Sequence, residues 1–170
     1  IEEAGRSMEA LVEDLLELSR IGQAEEPHSL VDPRGVLRQV EADLKLEIDA
    51  HNIILSLPDK PPMIRCNRTR LYQLFSNLIS NAVAHMGPTD SPRIDVDVRD
   101  RPSDWEISVC DNGRGIDADQ REQVFEVFTT LGARSDGSKS SGMGLAIVRK
   151  IAATHAGEAF VQAGPDGGAD

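Results

Sequence analysis

Asn77 and Asn81 stand four residues apart in the run NRTRLYQLFSNLISNAVAHM, residues 67–86. On a helix both project from one side, at the edge of an apolar stripe made by Leu71, Leu74, Phe75, Leu78, Ile79 and Ala82. Two carboxamides at a core boundary need polar partners. Their oxygens are hard ligands of the kind magnesium takes when it travels with a nucleotide, although such a pair also serves as an ordinary structural hydrogen-bonding unit. Asp111 closes the strand-like run WEISVC and opens DNGRGI. A carboxylate at a strand end can face a cleft and accept from the exocyclic amine of an adenine, while Gly113 and Gly115 let the chain turn tightly and a flat ligand approach its backbone. The same letters also make a plain Asp-Asn-Gly turn.

Gly142 and Gly144 lie just before the helix-like segment GLAIVRKIAATHAG, so backbone N–H groups at its start can cradle phosphate, favoured by the helix dipole. A flexible linker accounts for a lone Gly-x-Gly equally well. Gly132 and Gly137 mimic a Walker spacing, but Ser138 stands where the lysine belongs and Lys139 comes one residue late. No strand runs straight into Gly132 either, so the Walker reading is rejected.

The elements that must hold these residues follow from periodicity. Apolar residues at 8, 11, 12, 15, 16 and 18 make a helical stripe in MEALVEDLLELSRIG, with a stop at Gly22. Such a stripe needs partner helices to cover it. GQAEEPHS reads as a boundary linker. Pro33 suits the first turn of a helix over PRGVLRQVEADLKLEIDAH, IILSL and MIRC read as strands around the turn PDKPP, and Asn67 can cap the next helix. RIDVDVRD and WEISVC have strand character, and EAFVQA is expected to be a further strand. Helices and strands interleave without a strict strand–helix–strand repeat, which points to an α+β, two-layer α/β sandwich: a mixed sheet covered by helices.

The 170 residues carry 18 Lys and Arg against 29 Asp and Glu, a net charge of −11, which argues against a broad grip on nucleic acid and requires any anionic ligand to be held locally. Cys66 and Cys110 read as free thiols rather than a disulfide. No run approaches the ~20 apolar residues of a membrane span, so a soluble, cytoplasmic piece is expected, any membrane anchoring coming from segments outside it. The start at Ile1 and the close in GPDGGAD read as the ends of an excerpt from a longer protein.

Taken in order, NLISNA, DNGRGI, FEVF and GMGLAIVRKI resemble the N, G1, F and G2 boxes of the catalytic and ATP-binding domain of sensor histidine kinases, within the GHKL ATPase superfamily and its Bergerat-type fold. The resemblance covers roughly residues 29–162. MEALVEDLLELSRIG also looks like the end of the second helix of that family's dimerisation and phosphotransfer hairpin. The implied organisation is residues 1–22 as that helix, 23–28 as linker and 29–170 as the ATP-binding domain, with its final strand truncated.

The resemblance implies ATP and Mg2+ as cofactors. Asn81, with Asn77 beside it, would hold the magnesium. Asp111 would read the adenine, Gly113 and Gly115 would line the base pocket, and Phe125 and Phe128 would anchor a lid over about residues 129–141. Gly142 and Gly144 would meet phosphate. Contacts from His85, Ile116, Thr130, Arg134, Lys139, Ser141, Met143 and Leu145 complete the implied nucleotide site. The reaction would be transfer of the γ-phosphoryl to a histidine on the first hairpin helix, absent from the excerpt, and thence to an aspartate of a response-regulator receiver domain. A homodimer through the hairpin is implied, and no catalytic residue is assigned within the chain.

Two departures stand out. Where the family commonly carries Lys or Arg three residues after the magnesium asparagine, this chain has Ala84, leaving His85, Arg134 or Lys139 to supply charge or turnover to be slow. None of His28, His51, His85 and His155 occupies an acceptor context. The rival readings are a serine kinase or clamp-type ATPase of the same superfamily, and a nucleotide-sensing pseudokinase or scaffold.

Overall fold

The computed structural model describes residues 2–22, 27–129, 142–164 and 169, with side chains from residue 11 onward. The order is α1 (Glu2–Arg20), β1 (Ser29–Val31), α2 (Pro33–Asp43), α3 (Lys45–Ala50), β2 (Ile54–Ser56), β3 (Ile64–Cys66), α4 (Arg68–His85), β4 (Arg93–Asp100) and β5 (Trp105–Asp111). A 3-10 turn (Gln123–Phe125) and α5 (Gly144–Thr154) follow. β2 runs parallel to β4 and β4 antiparallel to β5, so the main sheet is mixed, as expected. β1 and β3 form a separate antiparallel pair.

α4 is the axis of the helical layer. It packs against α2 on one side and α5 on the other, and against β4 and β5 beneath. Its start is fixed by Asn67, whose side-chain oxygen accepts from the N–H groups of Thr69 (2.8 Å) and Arg70 (3.2 Å), two of the donors a helix leaves without internal partners. Asp32 caps α2 in the same manner ahead of Pro33. The strict alternation of RIDVDVRD places Ile94, Val96 and Val98 against Val36, Leu37, Val40, Phe75 and Ile79 in one core, with Asp95 and Asp97 on the opposite face. Cys66 belongs to this core, and burial pushes its thiol up to about 11; neither it nor the half-buried Cys110 is in a disulfide.

Two local expectations are corrected, and one short strand is added. The helix expected over residues 33–51 breaks at Leu44, whose ψ of 5° leaves the helical range; Ile48 beyond the break is buried and Leu46 is 84% exposed. Ser29–Val31, at the start of the expected ATP-binding domain and assigned to no element from the sequence, forms β1, because the open edge of β3 offers it backbone partners. EAFVQA forms no strand ladder: residues 158–162 are irregular, and only Ala163 bridges, to Ala169. Phe160 is 68% exposed, so no buried face rewards extended pairing there.

α1 is only half accommodated. Leu18 and Ile21, near its C-terminal end, pack with Met143, Ile147 and Ile151 of the α5 region and Leu74 of α4, whereas Val12, Leu15 and Leu16 remain about half exposed. Above that contact Arg70, the one buried charged residue among those described, pairs with Glu17. Gln73 joins them, its Oε1 accepting from Arg70 and its Nε2 donating to Glu17, both at 2.8 Å. The hydrogen bond from Gln73, followed by the Arg70 guanidinium, holds the Glu17 carboxyl below its ordinary range despite partial burial.

Candidate functional site

Asn77, Asn81 and His85 recur every four residues along α4 and so form one polar track on its surface. With a rise of 1.5 Å per residue the track is about 12 Å long, the scale of an extended nucleotide rather than of a metal ion alone. Different loops meet its two ends. Tertiary packing therefore brings together what the sequence holds far apart.

At one end lies the start of α5. A Cβ added to Gly144 would come within 3.0 Å of Asn77 Oδ1, so the amide and the helix N-terminus are in contact, and glycine is what lets them approach. Asn77 Nδ2 donates to the Gln73 carbonyl (2.9 Å), which aims its oxygen toward α5. Met143, fully buried, anchors the turn from below, and Leu145 is half-buried. The N–H groups of a first helical turn lack partners within the helix and point at whatever anion approaches.

At the other end lies the turn after β5. Asp111 Oδ1 accepts from the Gly113 N–H at 2.8 Å and from the Ala169 N–H at 3.5 Å. Burial raises the Asp111 carboxyl above its usual value, with these two backbone donors opposing the shift. Gly113 has no room for a side chain: a Cβ there would stand 2.5 Å from the Met86 carbonyl oxygen and 2.9 Å from Asp111 Oδ1. Gly115, with φ of 69°, occupies the left-handed region. The Ile116 carbonyl accepts from Arg121 Nε at 3.2 Å. Arg114, from the same turn, reaches back to α4, its guanidinium lying 3.0 Å from His85 Nδ1.

The segment between the two ends is tied down where it is described. Phe125 is buried, under the Arg149 guanidinium at 5.0 Å, and Arg149 also pairs with Glu122. Phe128 is different: it is 59% exposed with φ of 68°, and its N–H donates to the Gly142 carbonyl at 3.0 Å. The two phenylalanines therefore do separate work, Phe125 by side-chain packing and Phe128 by closing the backbone onto Gly142. Gly142 itself has φ of 67°, and a Cβ would stand 2.7 Å from the Phe128 carbonyl carbon. Thr130, Arg134, Lys139 and Ser141 lie outside the described residues.

The structure thus brings Gly144 to Asn77 at one end of the α4 track and the turn of residues 111–115 to Met86 and His85 at the other, with Gly142, Met143, Leu145 and Ile116 adjoining these contacts along the chain. Asn81, half-buried, sits midway along the track, and its amide oxygen is a hard donor of the kind a magnesium ion would take. Ala84 is 6% exposed and offers no charge, as the sequence departure implied. Two features were not assigned from sequence. Arg114 was legible as a cation between two glycines of a turn. The Glu17–Arg70–Gln73 cluster, joining residues more than 50 apart, left no sequence signal.

Residues 66–170 match the family model described as histidine kinase-, DNA gyrase B-, and HSP90-like ATPase. The chain is 34% identical to the methanogenesis regulatory histidine kinase FilI of Methanothrix harundinacea over 162 residues, 95% of this chain and 18% of that one. It is 33% identical to the sensor histidine kinase TrcS of Mycobacterium tuberculosis over 169 residues, 96% of this chain and 33% of that one. It thus spans about a fifth to a third of these relatives. Among solved structures, full-length ShkA in complex with AMPPNP superposes with a TM-score of 0.76 at 29% identity, covering 98% of this chain and 35% of that one. With the family model spanning all four boxes, the chain belongs to the histidine kinase-, DNA gyrase B- and HSP90-like ATPases, as an ATP-binding domain of the histidine kinase type.

Proposed function

We propose that the chain is the kinase core of a two-component sensor histidine kinase, which passes the γ-phosphoryl of Mg-ATP to a histidine on a helical hairpin and onward to an aspartate of a response-regulator receiver domain. The observation that carries this reading is the α4 track, which joins the Asp111 turn at one end to the N-terminus of α5 at the other. On this reading residues 1–22 are the second hairpin helix and dimerise with a second copy, 23–28 are the linker and 29–170 the ATP-binding domain. The half-exposed Val12, Leu15 and Leu16 of α1 support a partner for that helix.

The residues divide the work. Asp111 Oδ1 is engaged by backbone N–H groups, so Oδ2 is the oxygen that receives the adenine amine. Gly113 and Gly115 keep side chains out of the base site. Asn81, with Asn77 beside it, binds the magnesium, and the ion when bound offsets charge on the phosphoryl group in transfer. The first-turn N–H groups of α5 hold phosphate, and the segment after Phe128 acts as a lid that excludes water. Arg134 and Lys139 within it are the cations for the γ-phosphate, with Thr130 and Ser141 as further contacts. Little chemistry is asked of the chain beyond positioning, in keeping with a site of amides, glycines and one carboxylate.

The test is to incubate the full-length protein with labelled ATP and assay the product in acid. An acid-labile phosphoryl group, lost in Asn81→Ala, supports the histidine kinase. An acid-stable phosphoserine would support a serine kinase of the same superfamily, and nucleotide binding without transfer a pseudokinase.

A further inference from the structure

Binding a triphosphate to a chain of net charge −11 requires a positive group placed locally. Asn77 and Asn81 of the α4 track are neutral amides, and the Asp111 carboxylate itself repels phosphate. Ala84 contributes nothing, and Arg121 spends its Nε on the Ile116 carbonyl. Arg114 is the exception: its guanidinium is carried to the track itself, 3.0 Å from His85 Nδ1.

Its placement is not that of a loose surface arginine. The backbone on its N-terminal side is wedged against the end of α4, where Gly113 leaves no space beside the Met86 carbonyl. The Arg114 Cβ lies 3.8 Å from where a Cβ of Gly87 would stand, so the side chain leaves the turn alongside the same helix end. The contact with His85 Nδ1 holds the guanidinium against the α4 track. The guanidinium is thus exposed, preorganised and one helical turn beyond Asn81, between the carboxylate end of the track and the metal amide.

We propose that Arg114, guided by His85, is the cation that receives the phosphate next to the ribose of the bound nucleotide, supplying within the G1 turn the charge that position 84 lacks. This rests on the nucleotide reading given above and goes beyond it by naming a residue and a phosphate. A planar fork of donors suits a phosphate oxygen pair.

The test is a ladder of ligands measured by calorimetry with the chain itself: adenosine, AMP, ADP and ATP, each with the unaltered protein, Arg114→Ala, Arg114→Lys and His85→Ala. Arg114→Ala is expected to weaken AMP, ADP and ATP by a similar factor of about ten while leaving adenosine within twofold. Arg114→Lys should recover part of the loss, and His85→Ala should show a smaller loss of the same pattern, with melting temperatures unchanged in all. An equal loss for adenosine would make Arg114 a base or ribose contact and overturn the proposal, as would a loss that appears only at ATP or none at all. If the unaltered chain bound no member of the ladder, the nucleotide reading itself would fall, an outcome distinct from selective failure of the Arg114 variants.

Discussion

Glu17→Gln probes the contact that docks α1 onto the ATP-binding domain. The change preserves shape and leaves an oxygen to accept from Arg70 and Gln73, but it removes the charge that Arg70 faces. Breaking a buried ion pair costs about 3–5 kcal/mol because the surviving charge stays buried. Here the Arg70 side chain is 11% exposed and Glu17 29%, so water reaches the carboxylate, and the remaining donors and acceptors soften the loss. The expected destabilisation is about 1–3 kcal/mol, or about 2–12 °C in Tm for a chain of this length. Acid supplies an internal control. The Glu17 carboxyl is held below its unfolded value of 4.5, so its contribution is fully present above that pH and is lost as the pH falls through the lower folded value. Urea unfolding of wild type and variant should therefore show a gap near pH 7 that narrows below about pH 4.5. A double-mutant cycle with Arg70→Met should return a coupling of about 1 kcal/mol or more. A variant within about 0.3 kcal/mol of wild type at pH 7, or a gap that persists unchanged in acid, would refute the reasoning.

Other substitutions test the site from different directions. Asp111→Asn should weaken ATP binding by about 10- to 150-fold, the loss of one hydrogen bond to a charged acceptor, measured by calorimetry. Because burial raises that carboxyl, its ionisation opposes folding as the pH rises through the raised value, so near neutral pH the same variant should melt slightly higher without nucleotide. Gly113→Ala places a methyl 2.5 Å from the Met86 carbonyl, and urea unfolding should show a cost of about 1–3 kcal/mol together with lost nucleotide affinity. Asn67→Ala removes the α4 cap and should cost about 1 kcal/mol in the same assay, with ATP affinity little changed because the cap lies remote from the track.

Much of this protein is written locally. The α4 stripe, its Asn67 cap and the alternation of β4 could be read directly, because helical and pleated periods are properties of contiguous residues. The four boxes were legible for a related reason: each is a short run whose glycines, amides or carboxylate are set by what its own backbone must do. Where a local reading failed, a neighbour decided the outcome. β1 exists because β3 has an edge to offer, and EAFVQA lacks a ladder in which to become a strand.

The sequence alone therefore determined which residues can do chemistry and the order in which they occur. Tertiary structure decided which of them meet: that Asn77 abuts Gly144, that the turn after Asp111 wedges against Met86, that Arg114 reaches His85, and that Glu17 finds Arg70. Periodicity fixes the face a residue occupies on its own element. Contacts between residues tens of positions apart depend instead on the burial and packing of whole elements against one another, and no spacing along the chain encodes that distance.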